Sequence, residues 1–270
     1  MSTLIAVPSY NRAEHMFKDL TLKQLTNAGF KPLLFIRDSE CEKYAPVCEH
    51  YGIEHVAVGE RPIDQKRDAI VQYAHEHNYN RVFMLDDDLR FAWRKTVWDR
   101  LQSSGPEQIR AMVAELEELC DPVAPMVGCR LRAFANNAQE PYSIATRIIF
   151  NAMLHVPSVV SHGWKYTCPF RGKEDLNFHL QVLTSGYRTI TSNLFTCDSG
   201  LDKEDQGGCG TWRTTEVMTQ CSELLKRQWP EFVTLREKVS NYGEVYQDVT
   251  IRYKKAYEYG CKHRGVDCAY

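Results

Sequence analysis

The chain has no excess of positive charge: its formal net charge is −2 at pH 7. A protein-wide basic footprint for nucleic acid is therefore excluded, and any such contact must come from a local patch. No apolar run approaches the length of a membrane span. Met1-Ser2-Thr3-Leu4-Ile5 carries no basic leader before an apolar segment. A signal peptide is thus not expected, and a soluble, intracellular protein is. Neither a Gly-x-Gly-x-x-Gly turn nor a Gly-Lys-Ser/Thr loop follows the first apolar run, which argues against a dinucleotide site and a P-loop. The ten cysteines include no Cys-x-x-Cys pair. Cys41 with Cys48, and Cys261 with Cys268 around His263, are spaced too widely for the usual zinc knuckles. Reduced, mostly buried thiols are the expectation.

What is present fits a folded enzyme-sized chain. The 270 residues, 43% hydrophobic and 25% charged, allow one large α/β domain or two small ones. The most informative stretch is Arg81-Val82-Phe83-Met84-Leu85-Asp86-Asp87-Asp88. A short apolar run of this kind suits a strand buried on both faces of a parallel sheet. Open α/β sheets bind ligands beyond the carboxyl ends of such strands. Adjacent carboxylates there repel one another unless a cation neutralises them. A hard divalent ion that shares a substrate phosphate would do so. The alternative is a solvated acidic loop.

The order of elements favours the first reading. Residues 3–7, 32–36, 54–58 and 81–85 read as strands, separated by helical stretches over about 13–27, after Ser39, and from Pro62. Gly29 and Gly52 are placed as stops. Such alternation predicts a doubly wound, mostly parallel sheet. Right-handed crossovers bring Tyr10 to Arg12, Arg37 to Asp38, Glu60 to Arg67 and Asp86 to Asp88 to one crevice.

Beyond the Asp cluster the texture changes. Phe91, Trp93 and Trp98 lie among Arg90, Arg94, Lys95 and Arg100, a mixture that stacks on and neutralises nucleic acid or sugar, or is an amphipathic connector. A structural helix follows Gly105-Pro106, then short strands near 125–129 and 148–154, with Arg130, Arg132, Asn136 and Asn137 in a polar segment between. Glu174-Asp175 opens a helix running to about Ser185, where acidic residues complement the dipole or one of them serves as a base for an acceptor hydroxyl. A strand at 187–191, a long polar, glycine-rich segment from Phe195 to Arg213, and two helices complete the chain. The segment from Arg252 to Arg264 is its most basic and aromatic.

Pro8-Ser9-Tyr10-Asn11-Arg12, the Asp cluster and the later Lys173-Glu174-Asp175 together resemble the GT-A glycosyltransferases, over roughly the first two hundred residues. Asp86-Asp87-Asp88 stands in the Asp-x-Asp position of that family, and Glu174-Asp175 in its later acidic motif. A narrower resemblance is to the TET-associated glycosyltransferases of phages and their base J relatives. It rests on Ile5 to Arg12, Arg61 with Gln65 and Arg67, Met84 to Asp88, Gly172 to Asp175, and Gly207-Gly208-Cys209 with Trp212-Arg213-Thr214.

The resemblance implies a GT-A, Rossmann-like, open twisted sheet flanked by helices. Residues 1–200 would form the nucleotide-sugar-binding and catalytic core, and 201–270 a lid loop and helical acceptor-side extension. It implies a metal-dependent glycosyltransferase in the cytoplasm, the host's if phage-encoded, with no obligate protein partner. The sugar would pass from a nucleotide-sugar, expected to be a UDP-sugar, to a hydroxymethylated pyrimidine in DNA. Pro8, Ser9, Tyr10, Arg12, Asp38, Arg61, Gln65, Arg67, Asp86 and Asp87 would bind the donor. Asp86 and Asp88, completed by His263, would hold Mn²⁺ or Mg²⁺. Asp175 would be the catalytic base of an inverting enzyme, or would orient donor or acceptor in a retaining one, with Glu174 on the sugar hydroxyls, and Trp93, Arg130, Arg132, Trp212 and Arg213 would meet the acceptor. The alternatives are a glycan, protein or small-molecule acceptor, a sugar-nucleotide nucleotidyltransferase, and a non-catalytic binding module. The slightly acidic whole-chain charge stands apart from the DNA reading.

Overall fold

In the computed structural model the described residues are 2–148, 151–169, 172–200, 213–240 and 243–269. The strands and helices in chain order are β1 (Thr3–Pro8), α1 (Thr21–Asn27), β2 (Leu33–Ile36), α2 (Cys41–Tyr51), β3 (His55–Ala57), α3 (Ile63–Glu76), β4 (Arg81–Leu85), β5 (Leu89–Trp93) and β6 (Gln102–Ser103). Next come α4 (Pro106–Leu119), β7 (Met126–Leu131), β8 (Tyr142–Ile144), β9 (Asn151–His155), α5 (Val156–His162), α6 (Glu174–Thr184) and β10 (Thr189–Ser199). The chain closes with α7 (Thr215–Gln228), β11 (Val233–Val239), β12 (Val245–Ile251) and α8 (Tyr253–Arg264). No helix among the described residues is long and apolar enough to cross a membrane.

One sheet organises the molecule, in the order β3-β2-β1-β4-β9-β7-β10-β5-β6, with β8 also paired to β10. β1 to β4 are mutually parallel. β9 runs antiparallel to both β4 and β7, so β7 and its parallel neighbour β10 share the direction of the first four. The sheet is therefore mixed but mostly of one sense, with helices on both faces. Side-chain alternation explains the uninterrupted apolar runs. Ile5 and Val7 of β1 face a core with Leu22, Leu25, Val47 and Met112, whereas Leu4 and Ala6 face one with Ile70, Ala74 and Phe178. Phe83 and Leu85, against Val82 and Met84, divide β4 in the same way.

Four expectations are corrected. The helix expected over 13–27 is a 3-10 turn (Ala13–Phe17) followed by α1. α1 opens at Thr21, whose hydroxyl bridges the Asp86 carbonyl (2.7 Å) and the Leu89 amide (2.8 Å). The basic-aromatic connector after Asp88 begins as strand β5, paired antiparallel to β10. β10 itself continues through Ser199, where an irregular segment was expected. Finally, the C-terminal extension is not purely helical: β11 and β12 form an antiparallel hairpin packed on α7. The lid expected around Gly207 lies outside the described residues.

The C-terminal part is joined to the sheet layer through α6, whose two faces serve two cores. Phe178 and Val182 face the sheet, whereas Leu176, Leu180 and Leu183 meet Phe232, Tyr257 and Cys261. Where α8 crosses the end of α6, Gly260 lies against the backbone of Leu183 and Gly186, leaving no room for a Cβ. Gly260→Ala is expected to lower stability by about 2 kcal/mol, since only backbone movement relieves the clash. A urea midpoint unchanged from wild type would contradict this packing.

Candidate active site

The carboxyl ends of β1, β2, β4 and β10 border a cleft of about 780 Å³. Asp86, Asp87 and Asp88 line it, together with Pro8, Ser9, Tyr10, Arg12, Arg61 and Arg67. The N-terminus of α6 brings Glu174 and Asp175 to the same space, and Arg213 joins them. Residues far apart in sequence thus converge, as expected from the strand order.

The three aspartates are not equivalent. Asp87 is 6% exposed, and both its oxygens are taken: Ser9 Oγ donates to Oδ2 (2.5 Å) and Arg12 Nη1 to Oδ1 (2.6 Å). Ser9 Oγ is also 2.6 Å from the Tyr44 hydroxyl, and the Ser9 carbonyl accepts from buried Lys66 (2.5 Å). Asp87, Ser9 and Arg12 therefore form a scaffold joining the ends of β1 and β4. Asp88 accepts from Ser199 Oγ (2.9 Å) and Arg12 Nη1 (3.2 Å), both on Oδ2. Asp86 accepts from Arg67 Nη2 (2.9 Å) on Oδ1. Among the described residues, Oδ1 of Asp88 and Oδ2 of Asp86 have no protein hydrogen bond.

Burial dominates the electrostatics of the cleft's carboxyl groups. Burial, with Asp88, Asp87 and Glu174, pushes the Asp86 carboxyl up to about 7 despite Arg67. Burial likewise raises Asp87 against the pull of Arg12. Glu174 is raised by burial and by Asp175, and its buried Oε2 has no hydrogen-bond partner among the described residues. Arg67 offsets part of this, since its guanidinium feels Asp86, Glu174 and Asp175 together.

Among the described residues no group of three or more His, Cys, Asp or Glu side chains is arranged to hold a metal ion. What the chain offers is two carboxylates, Asp86 and Asp88, each with an oxygen not engaged by protein. That donor set fits a hard divalent cation completing its shell with water and phosphate oxygens. His263 is not brought to it. It is exposed on α8, its Nδ1 2.8 Å from the Tyr259 carbonyl, and does not line the cleft.

Other expected residues also fall elsewhere. Gln65 is exposed on α3 while its neighbours Lys66 and Arg67 point inward, and Asp38 Oδ1 accepts from the Gly59 amide at an exposed turn. Trp93, on β5, packs against the core, and exposed Arg132 lines neither the cleft nor the cavity beside it. Arg130 lines an adjoining cavity, and Trp212 lies outside the described residues. Among the described residues no two cysteines are joined by a disulfide. Sequence reasoning missed Arg147, Arg236, Lys238, Tyr246 and Asp248 in the cleft wall. The last four arrive on the β11–β12 hairpin, whose alternating pattern was the available signal. Asp248 holds Lys173 (2.7 Å), Arg236 (3.2 Å) and Lys238 (3.8 Å), tying the hairpin to the start of α6. Those partners depress its pKa, outweighing its partial burial.

A sequence model of the TET-associated glycosyltransferase family matches residues 3–208. Among solved structures, the chain is similar to S. aureus TarS 1-349 in complex with UDP-GlcNAc, at 11% identity and TM-score 0.53. The match covers 84% of this chain and 67% of that one, so the chain spans about two thirds of that segment. It is similar also to GalNAc-T7 with UDP, GalNAc and Mn²⁺ (9% identity, TM-score 0.46, covering 74% and 44%). A cytidylyltransferase from Leptospira borgpetersenii serovar Hardjo-bovis is a further match (9% identity, TM-score 0.44, covering 85% and 94%). The likeness to TarS is one of fold, and bears out the GT-A-type α/β architecture. No curated protein matches the sequence.

The division of labour among the aspartates is testable without substrate. Asp87→Ala leaves buried Ser9 and half-buried Arg12 without their shared acceptor and is expected to cost about 3 kcal/mol in urea unfolding. Asp86→Asn is expected to cost no stability at pH 8. A carboxyl whose folded pKa is raised makes folding less favourable as pH climbs from its ordinary value to the raised one, and the amide removes that penalty. Equal losses in the two variants would contradict the assignment.

Proposed function

The chain belongs to the TET-associated glycosyltransferase family and is a glycosyltransferase; from that premise we propose that it moves a sugar from a UDP-sugar to a hydroxymethylated pyrimidine in DNA. The observation that carries the reading is the convergence of Asp86 and Asp88 with Glu174 and Asp175 on one cleft. A volume of about 780 Å³ suits a nucleotide-sugar with an acceptor group at its end. The bound UDP-GlcNAc of TarS supports UDP as the carrier. Family membership supports the DNA base as acceptor.

Each residue then has a task that follows from its surroundings. Tyr10, with the Arg37 guanidinium stacked 3.9 Å from its ring centre, offers a flat platform for the nucleobase. Arg61 and Arg67 present positive charge to the diphosphate. Asp86 and Asp88 hold Mn²⁺ or Mg²⁺, and that ion, when bound, neutralises the charge developing on the departing nucleoside diphosphate. The unpartnered oxygen of Glu174 accepts from a sugar hydroxyl, which fixes the sugar in the cleft. In an inverting displacement Asp175 takes the proton of the acceptor hydroxyl as its oxygen bonds to the anomeric carbon and the bond to diphosphate breaks.

UDP release from UDP-sugars, measured with Mn²⁺ and hydroxymethylated DNA, tests the reading. Asp175→Asn is expected to lower kcat about a hundredfold or more, with the donor KM within about threefold of wild type. Because burial raises the metal-free Asp86 carboxyl to about 7, protons compete with the ion there, and Mn²⁺ affinity measured by titration should weaken as the pH falls below 7. Release of pyrophosphate from a nucleoside triphosphate, without sugar transfer, would identify a nucleotidyltransferase and overturn the proposal.

A further inference from the structure

Beside the cleft lies a second cavity of about 500 Å³, with Phe134, Arg147, Leu176, Arg236 and Asp248 forming walls common to both. Arg130, on β7, and Arg147, just before β9, line its interior. The Nε of each is buried without a hydrogen-bond partner, and neither guanidinium has an ion pair among the described residues. Burial and neighbouring Arg94 pull the Arg130 pKa down. Arg252, Lys254 and Lys255 from the start of α8 add further positive charge along the lining. The cavity's single carboxylate, Asp248, is already engaged by Lys173, Arg236 and Lys238. In a chain of net charge −2, half-buried Arg130 and Arg147 with exposed Arg252 and Lys255 make a local excess of cations, and among the described residues no carboxylate pairs with Arg130 or Arg147.

We propose that this basin binds the phosphodiester backbone of the acceptor strand, with Arg130 and Arg147 as the central phosphate ligands and Arg252 at the rim. The proposal rests on the glycosyl-transfer reading of the adjoining cleft and adds to it the route by which the acceptor reaches Asp175. Guanidinium forks match pairs of phosphate oxygens, and cations strung from β7 to α8 match a row of charges rather than one. Phe134, 41% exposed on the shared wall, gives a base a surface to stack on. Leu176 forms part of that same wall and directly follows Asp175. A strand anchored in the basin therefore presents its neighbouring base across the wall to the carboxylate.

Fluorescence anisotropy with a short labelled single-stranded oligodeoxynucleotide tests this on the full chain, without donor. The wild type should bind it with affinity that falls steeply as salt rises. Arg130→Ala is expected to weaken binding about tenfold and to reduce the slope of log affinity against log salt by about 0.7. Because Arg130 is half-buried, Arg252→Ala, at an exposed position, provides a second measurement expected to move both quantities in the same direction. Circular dichroism melting checks that each variant is folded. An oligonucleotide that does not bind at low salt, or that binds folded Arg130→Ala and Arg252→Ala as it binds wild type, overturns the basin. Donor cleavage by wild type, assayed separately as UDP release, judges the glycosyl-transfer reading. Its absence alongside variant-sensitive oligonucleotide binding would reject that reading and leave the basin as a nucleic-acid site.

Discussion

Asp87 receives the Ser9 hydroxyl on one oxygen and the Arg12 guanidinium on the other, and the placement of the cleft's chemistry depends on this knot. It fastens the chain leaving β1 to the chain leaving β4, two strands that are themselves paired in register from Thr3 and Arg81 onward. A buried carboxylate is tolerated because each of its oxygens has a strong donor. With Asp87 committed inward, Asp86 and Asp88 each retain an oxygen for the cleft. Thr21 and Gly200 fix the backbone on either side, through the carbonyls of Asp86 and Asp88.

A second knot closes the opposite wall. Asp248 gathers Lys173, Arg236 and Lys238, and so holds the β11–β12 hairpin against the first turn of α6. Lys173 immediately precedes Glu174, yet its ammonium is directed to Asp248 rather than to the carboxylates that follow. Glu174 keeps a buried oxygen without a partner, and Asp86 keeps a raised pKa. Carboxyl groups raised by burial in this way cost some intrinsic stability, which a cationic or hydroxyl-bearing ligand would relieve.

Much of this was readable before any coordinates. β1 to β4 are short apolar runs bounded by turn residues, and burial on both faces keeps them free of alternation. Carboxylates at a strand end and at a helix start were recognisable because both positions have a physical use for negative charge. The roles within Asp86-Asp87-Asp88 were not readable, since three identical residues differ only in partners that lie far along the chain. Gln65 and Lys66 differ by helix phase, which a one-residue uncertainty in the start of α3 obscures. The hairpin escaped for another reason. Val233–Val239 and Val245–Ile251 mix charged and apolar residues because one side is solvated, and their stability comes from each other and from α7. Asp248 went unnoticed with them.

The central claim is that Asp86 and Asp88 clamp the donor diphosphate through a divalent cation. Isothermal titration of UDP into the protein with and without Mn²⁺, repeated on Asp88→Asn, tests it most directly. The account predicts binding that requires the ion and weakens by about tenfold or more when the Asp88 carboxylate is replaced. UDP binding of equal strength with and without Mn²⁺, and equally in Asp88→Asn, would contradict it.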